Sequence, residues 1–429
     1  MKSWFSLIFA MSLACLAADK VLIIALGDHI YDWDPPEMVD RFYASLEDKG
    51  IDAVWGVGGP LPWRPGNWKN PEYIEFINRT HAIIRKHGIK VLLPMNPGGM
   101  LSPEDNGTTL KGWKLDPKTG RRFEAKGAWD FASPSAMAEF MNRVEWYINA
   151  TKPYEGYIID EVELIDHGPN AGTQRMSQYW TSPTYSPAAL ESFRKYVREH
   201  NLLPEPEKVK FPVTTQEREP SEKCNLGLPA VPLDEENSSY LVEDNDYCES
   251  PLWKAWMDWR TELLTQYHVM QYKLAVKLLS DNPGWIGCFS SAPSHWYGRQ
   301  AGIPYSTESG LDKYRIAAIP ELDWLVCGYR NGMYLHNLKD AAAKYGKKLG
   351  GMIEFSAYGI REPFGRKLDE FKSQIERGAK CMYLYPLSNL NPERNEEKYI
   401  GEGRGWQPFA LENWMECVNW LRETGRAMK

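Results

Sequence analysis

The feature that most constrains the fold is a regular alternation of short apolar segments with longer helical ones. The first apolar segment, KVLIIAL at residues 20–26, is continuously apolar, as is typical of a strand buried on both faces. Helical segments with Pro near the start and Gly near the end separate these runs. Eight strands are predicted, at 20–26, 51–55, 89–95, 156–160, 285–289, 322–327, 348–354 and 380–385.

Strands that alternate with helices predict a parallel sheet. Eight repeats favour closure into a (β/α)8 TIM barrel over an open doubly wound sheet. The turn after the first strand, Gly27-Asp28-His29-Ile30, also lacks the G-x-G-x-x-G spacing of dinucleotide-binding open sheets. The sequence therefore predicts an α/β protein with a TIM barrel.

The chain divides into a leader and one domain. Residues 1–18 have a basic start at Lys2, an apolar run and a small-x-small ending, which predicts a signal peptide too short to span a bilayer. Residues 19–429 are predicted to form a single barrel domain with a long irregular insertion at 201–250, after the fourth strand. We expect a secreted or periplasmic protein that has no membrane-spanning segment. A lipid anchor at Cys15 is the alternative to free export.

Charge and cysteine content narrow the function classes. The net charge is −7 and basic residues are not clustered, which argues against nucleic-acid binding. No CxxC or HExxH pattern is present, so neither a metal nor another cofactor is predicted. Cys224 and Cys248 bracket the insertion, and an exported chain allows a disulfide between them. A bridge and two free thiols both stay open.

An apolar strand that ends in acids is the strongest local signal for a site. The segment GYIIDEVE, residues 156–163, places three acids directly after an apolar run. Buried unpaired carboxylates cost several kcal/mol, so these should meet water or a substrate at the carboxyl end of a barrel strand. Glu354 ends another apolar strand in the same way.

Polar and aromatic residues also follow the other predicted strands. Sugar hydroxyls need fixed hydrogen-bond partners and sugar C–H faces pack on aromatic rings, so this pattern favours a poly- or oligosaccharide substrate. The chain has 18 tryptophans, several of them in loops after strands. The predicted substrate contacts are Asp160, Asn96, His295, Trp296, Tyr329 and Tyr385.

Glycoside hydrolysis requires two carboxyl groups, an acid and a nucleophile or base. Because side chains alternate along a strand, Glu161 and Asp160 should point to opposite sides. We expect Glu161 and Glu354 to be the catalytic pair, and Asp160 to brace a neighbouring side chain.

The layout resembles a known clan of enzymes. Acids ending the fourth and seventh strands, with the helical segments SPAALESFRKYVREH and SPLWKAWMDWRTELL, resemble the retaining glycosidases of the β-galactosidase-like clan. The resemblance implies that Glu161 is the acid/base and Glu354 the nucleophile, and that Tyr329 hydrogen-bonds the nucleophile. The clan carries Asn immediately before its acid, whereas this chain has Asp160.

That departure keeps two alternatives open. In retaining barrels of the α-fucosidase and α-galactosidase type, an aspartate at the end of the fourth strand is the nucleophile, and Asp160 would take that role. An alternative of another class is a non-catalytic carbohydrate-binding barrel that has lost the chemistry. The presence of both Glu161 and Glu354 argues against it.

Overall fold

The computed structural model describes residues 19–26, 30, 34–56, 69–95, 111–115, 122–160, 184–214, 239–242, 251–292, 311–327, 335–355, 367–390 and 408–428. Within these ranges, eight parallel strands close into a barrel in the order β1-β12-β11-β10-β9-β6-β3-β2. The strands are β1 (Leu22–Ala25), β2 (Ala53–Trp55), β3 (Lys90–Met95), β4 (Lys111–Leu115), β5 (Arg122–Trp129), β6 (Gly156–Asp160), β7 (Phe211–Thr214), β8 (Ser239–Val242), β9 (Gly287–Ala292), β10 (Trp324–Cys327), β11 (Lys348–Glu354) and β12 (Ala379–Tyr385).

Helices follow the barrel strands along the chain, and their first turns explain where they begin. Proline occupies the first turn of several of them, where its missing N–H costs nothing. Asn70, Ser133 and Ser186 cap three helices by accepting a backbone N–H with their side chains. The helices are α1 (Pro36–Ala44), α2 (Pro71–Lys86), α3 (Pro134–Thr151), α4 (Pro187–Glu199), α5 (Pro251–Leu279), α6 (Lys313–Ala317), α7 (Leu335–Tyr345), α8 (Lys367–Glu376) and α9 (Pro408–Glu423).

Each barrel strand has one face toward the barrel interior and one toward the helices. The interior cluster takes alternate residues, such as Ile158 of β6, Phe289 of β9 and Met352 of β11. The residues between them, such as Ile159 and Ile353, belong to the larger outer core under the helices. The position of a residue along its strand therefore decides whether it can take part in an interior site.

Buried or partly buried acids lie at the amino-terminal end of the barrel. Asp52, Glu155 and Asp323 each precede a barrel strand and accept a backbone N–H from the neighbouring strand at 2.7–2.9 Å. These bonds satisfy amide groups that the sheet ladder leaves unpaired. Carboxylates at this end thus have structural partners, which separates them from those at the opposite end.

The predicted barrel is confirmed, with small shifts in element bounds. The fifth barrel strand was predicted at 285–289 and is observed at Gly287–Ala292. The strands at Gly156–Asp160 and Lys348–Glu354 have the predicted bounds.

Two segments in which no strand was predicted contain strands. The interval before residue 133 includes the antiparallel pair β4–β5, and the 201–250 insertion includes the short parallel pair β7–β8. The first pair is held by distant contacts, since Trp113 O of β4 accepts the Tyr185 N–H at 3.0 Å.

Four cysteines of the described residues are buried and form no disulfide bond with one another: Cys288, Cys327, Cys381 and Cys417. Cys224 and Cys248 lie outside the described residues, so their disulfide stays a prediction. The predicted signal peptide, residues 1–18, also lies outside them. None of the described helices is both long and apolar enough to cross a membrane.

Candidate functional site

Two acids face the barrel interior at the carboxyl end of the strands. Asp160 ends β6 two residues after interior-facing Ile158, and Glu354 ends β11 two residues after interior-facing Met352. In the barrel order, β9 and β10 separate β6 from β11, so the two acids approach from well-separated sides. This end of a parallel barrel is where such folds place their chemistry.

The structure places Asp160 on the interior face, with only 4% of its surface exposed. The expectation that it braces a neighbouring side chain and the expectation that it contacts the substrate both stay predictions. The strand GYIID is buried on both faces, so its composition alone does not reveal which set of alternate residues faces inward.

Asp160 has an unusual electrostatic environment. Burial raises the pKa of its carboxyl to about 7, and the neighbouring Ser291 hydroxyl offsets this only in part. Ser291 is the register partner of Asp160 on β9. No lysine, arginine or histidine of the described chain forms an ion pair with Asp160. Desolvation therefore dominates, and it favours the protonated form.

Two hydroxyl groups accompany Asp160 inside the barrel. Tyr383 of β12 is fully buried and its ring lies 6.4 Å from the Phe289 ring, measured between centroids. Burial raises the pKa of Tyr383 well above its usual value, and charge on Asp160 raises it further. Within the described residues, neither the Tyr383 hydroxyl nor the Ser291 hydroxyl makes a hydrogen bond of standard geometry. Buried polar atoms of this kind normally have a partner.

Glu354 lies in a more open environment than Asp160. It is partly buried, and so is its register partner Tyr385 on β12. The two strands hold each other in place here, because the Phe355 N–H donates to Tyr385 O at 2.8 Å. The carboxyl of Glu354 and the ring of Tyr385 thus lie side by side at the open end of the barrel.

The structure describes three of the predicted site residues, Asp160, Glu354 and Tyr385, and brings all three to the same end of the barrel. It adds Ser291 and Tyr383, which were not predicted to contact a substrate. Their place in the strand could have indicated this, because each lies two residues from an interior-facing residue of the same strand, Phe289 or Cys381. The other predicted site residues lie outside the described residues: Glu161, Asn96, His295, Trp296 and Tyr329.

Within the described ranges, no group of three or more histidine, cysteine, aspartate or glutamate side chains is placed to hold a metal ion. The expectation that the site works without a metal or cofactor stays a prediction, because several site residues lie outside those ranges.

Comparison with known proteins identifies related folds. No family model matches the chain, and no curated protein matches its sequence. Among solved structures, the catalytic domain of β-amylase from Paenibacillus polymyxa superposes with a TM-score of 0.58 at 14% identity, covering 94% of this chain and 98% of that one. A β-galactosidase from the Antarctic haloarchaeon Halorubrum lacusprofundi gives a TM-score of 0.59 at 13% identity, covering 93% and 57%. The β-galactosidase from the psychrophilic Marinomonas ef1 gives 0.57 at 13% identity, covering 94% and 60%.

This chain shares their fold. Identities of 13–14% support a common architecture and nothing finer. The chain spans under two thirds of the length of these two β-galactosidases, but nearly the whole β-amylase catalytic domain. The resemblance to glycosidase barrels that the sequence indicated is confirmed at the level of the fold.

Proposed function

We propose that this protein is a glycoside hydrolase that cleaves glycosidic bonds in a polysaccharide or oligosaccharide. The observation that carries the proposal is the presence of two carboxyl groups, Asp160 and Glu354, on the interior face at the carboxyl ends of β6 and β11. Further support comes from solved barrels of the same fold, which are named as β-amylase and β-galactosidases.

The roles follow from the chemistry of glycosidic cleavage. Glu354, partly open to solvent, is the proposed nucleophile, and Glu161, the residue after Asp160, is the proposed acid/base. Retention of configuration follows if their carboxyl groups lie about 5–5.5 Å apart, whereas about 6.5–9.5 Å would give inversion. The proposed substrate contacts are Asp160, Asn96, His295, Trp296, Tyr329 and Tyr385.

A second assignment within the same class makes Asp160 the nucleophile, as in α-fucosidase- or α-galactosidase-like barrels. The observation that favours it is that Asp160 faces the barrel interior. Its burial, with no cation paired to it among the described residues, counts against it, because a nucleophilic carboxylate has to be ionised. We also propose export to the periplasm or the medium, based on residues 1–18.

The test is a pair of alanine variants measured on aryl glycosides and natural oligosaccharides. Glu354→Ala should lose on the order of 10³-fold or more in kcat, as expected for a residue that bonds to the reacting carbon. Added azide should restore turnover by entering the space left by the carboxyl group. Glu416→Ala, an exposed position on α9, is the matched control and should keep full activity.

The outcomes separate the alternatives. Near-normal turnover of Glu354→Ala, with its thermal midpoint unchanged, would exclude the proposed nucleophile. A wild-type protein that binds oligosaccharides but hydrolyses none of them would instead support the non-catalytic carbohydrate-binding barrel.

A further inference from the structure

Three polar groups lie together inside the barrel, and none of them forms an ion pair with another residue that the structure describes. Asp160 contributes a carboxyl, Ser291 an aliphatic hydroxyl and Tyr383 a phenol, and each of these residues is at least 96% buried. Ser291 is the register partner of Asp160, and Tyr383 is close enough for charge on Asp160 to affect its ionisation. The surrounding interior residues, such as Ile158 and Phe289, are apolar.

This environment is poorly suited to an ionised carboxylate. Removing a carboxylate from water without a cation costs several kcal/mol, and proteins avoid the cost by leaving the group protonated. The titratable groups at interior positions of the described strands include the acids Cys381, Tyr383, Tyr385 and Glu354, whereas Lys90 and Lys348 begin β3 and β11 at the opposite end of the barrel.

The protonated carboxyl has a capacity that the carboxylate lacks. It donates one hydrogen bond through its O–H and still accepts through its other oxygen, whereas the carboxylate only accepts. The hydroxyls of Ser291 and Tyr383 also donate and accept. Together the three groups can surround a ligand hydroxyl with partners of both kinds.

We propose that Asp160 works as a neutral hydrogen-bond donor, and that with Ser291 and Tyr383 it forms a subsite for one hydroxyl group of the sugar. Ionisation of Asp160 removes the donor and weakens sugar binding. The identity of the ligand rests on the proposed function, but the protonation state of Asp160 does not.

The subsite gives Asp160 a role different from that of nucleophile. A neutral donor is mimicked by an amide, which also offers N–H donors and a carbonyl acceptor of similar shape. A nucleophile is not mimicked by an amide, because the reaction requires the carboxylate oxygen. The variants Asp160→Asn and Asp160→Ala therefore distinguish the two roles.

The first measurement is direct and needs no substrate. In the full-length protein with isotope-labelled aspartate, the NMR signal that Asp160→Asn removes should titrate near pH 7, well above an ordinary aspartate at about 3.9. Tyr383→Phe should move that midpoint, because the phenol lies beside the carboxyl. A midpoint near 4 would overturn the proposal.

The second measurement is catalytic. Asp160→Asn should keep kcat/KM within about tenfold of wild type, and Asp160→Ala should lose on the order of 10- to 100-fold, mostly in KM. Wild-type sugar affinity should fall as the pH rises past 7, and Asp160→Asn should lack that fall. A loss of more than about 10³-fold in both variants would overturn the proposal in favour of a nucleophilic Asp160.

The same experiments distinguish a failure of the proposed Asp160 subsite from a failure of the proposed glycoside hydrolase function. If wild type hydrolyses no glycoside, the proposed function fails, and the NMR titration still decides the state of Asp160. If Asp160→Ala does not fold, Ser291→Ala and Tyr383→Phe provide smaller changes, each expected to weaken sugar binding at neutral pH. Unchanged binding in both would overturn the subsite.

Discussion

Asp160 and Glu354 carry the same functional group in different surroundings. Asp160 is 4% exposed and lies beside the Ser291 hydroxyl, whereas Glu354 keeps contact with solvent at the rim of the barrel. Two carboxyls whose environments differ can divide the work between a protonated and an ionised form. The contrast supports the proposed division of roles, with Asp160 as a hydrogen-bond donor and Glu354 as the nucleophile.

A third acid, Glu155, shows what a carboxylate does at the opposite end of the barrel. It accepts the Val91 N–H at 2.7 Å and pairs with Arg85 Nε at 3.0 Å. Glu155→Ala should lower the free energy of unfolding by about 2–4 kcal/mol, because it leaves the buried Val91 amide without its acceptor and removes the carboxylate that pairs with the partly buried Arg85. Urea unfolding measures this change.

The matched control for Glu155 is Glu199→Ala, since Glu199 is exposed at the end of α4. Its distant pairing with Lys195, at 3.8 Å on the surface, is expected to contribute less than about 1 kcal/mol. Equal losses in the two variants would contradict the structural role assigned to Glu155.

At the scale of elements, α4 joins the additional hairpin to the barrel. The side chain of Ser186 caps α4 by accepting the Ala189 N–H at 2.9 Å. The Ser186 hydroxyl also interacts with the buried Asp130, which follows β5. Tyr185, just before the cap, is fully buried in a satellite core with Phe193 and Trp256.

Ser186→Ala should therefore destabilise the folded protein more than the loss of a helix cap that has no other contact. Loss of the cap alone costs about 1 kcal/mol, and loss of the bond to Asp130 leaves a buried carboxyl with fewer donors. We expect a total loss of about 2 kcal/mol, and a rise in the pKa of Asp130. Ser133→Ala on α3 is the comparison, because its cap, with an N–O distance of 3.3 Å, lies at a partly buried position. Equal effects of the two changes in urea unfolding would exclude the second role of Ser186.

At the scale of the whole molecule, the barrel was predictable because the local amino-acid composition of each strand indicates a buried strand. Short, mainly apolar segments such as 156–160 and 348–354 appear in the structure with the same bounds. The hairpin β4–β5 was not predictable, since its contact with Tyr185 comes from a distant part of the sequence. The inward orientation of Asp160 could not be predicted either, because a strand buried on both faces shows no alternation of apolar and polar residues.

The stability of the whole molecule should depend weakly on pH, because buried groups act in opposite directions. Burial raises the pKa of Asp130 to about 6, against hydrogen bonds from Ser186 and two backbone amides. The folded state thus binds this proton more tightly than the unfolded state, so the contribution of Asp130 is present below pH 4 and is lost as the pH rises through 6. The contribution of Asp160 to stability has the same sign and is lost as the pH rises through about 7.

The effect of His268 on the pH dependence of stability is opposite to that of Asp130 and Asp160. Burial lowers its pKa to about 4, with a backbone bond to Leu264 offsetting little of this, so stability is present above about pH 6.5 and is lost as the pH falls toward 4. Asp130→Asn should therefore gain stability relative to wild type as the pH rises from about 4 to 6, and His268→Gln should gain relative to wild type as the pH falls over the same range. Urea unfolding of the three proteins at several pH values measures both differences. If the two variants change in parallel with wild type at every pH, neither group is linked to folding, and the protons are bound equally in both states.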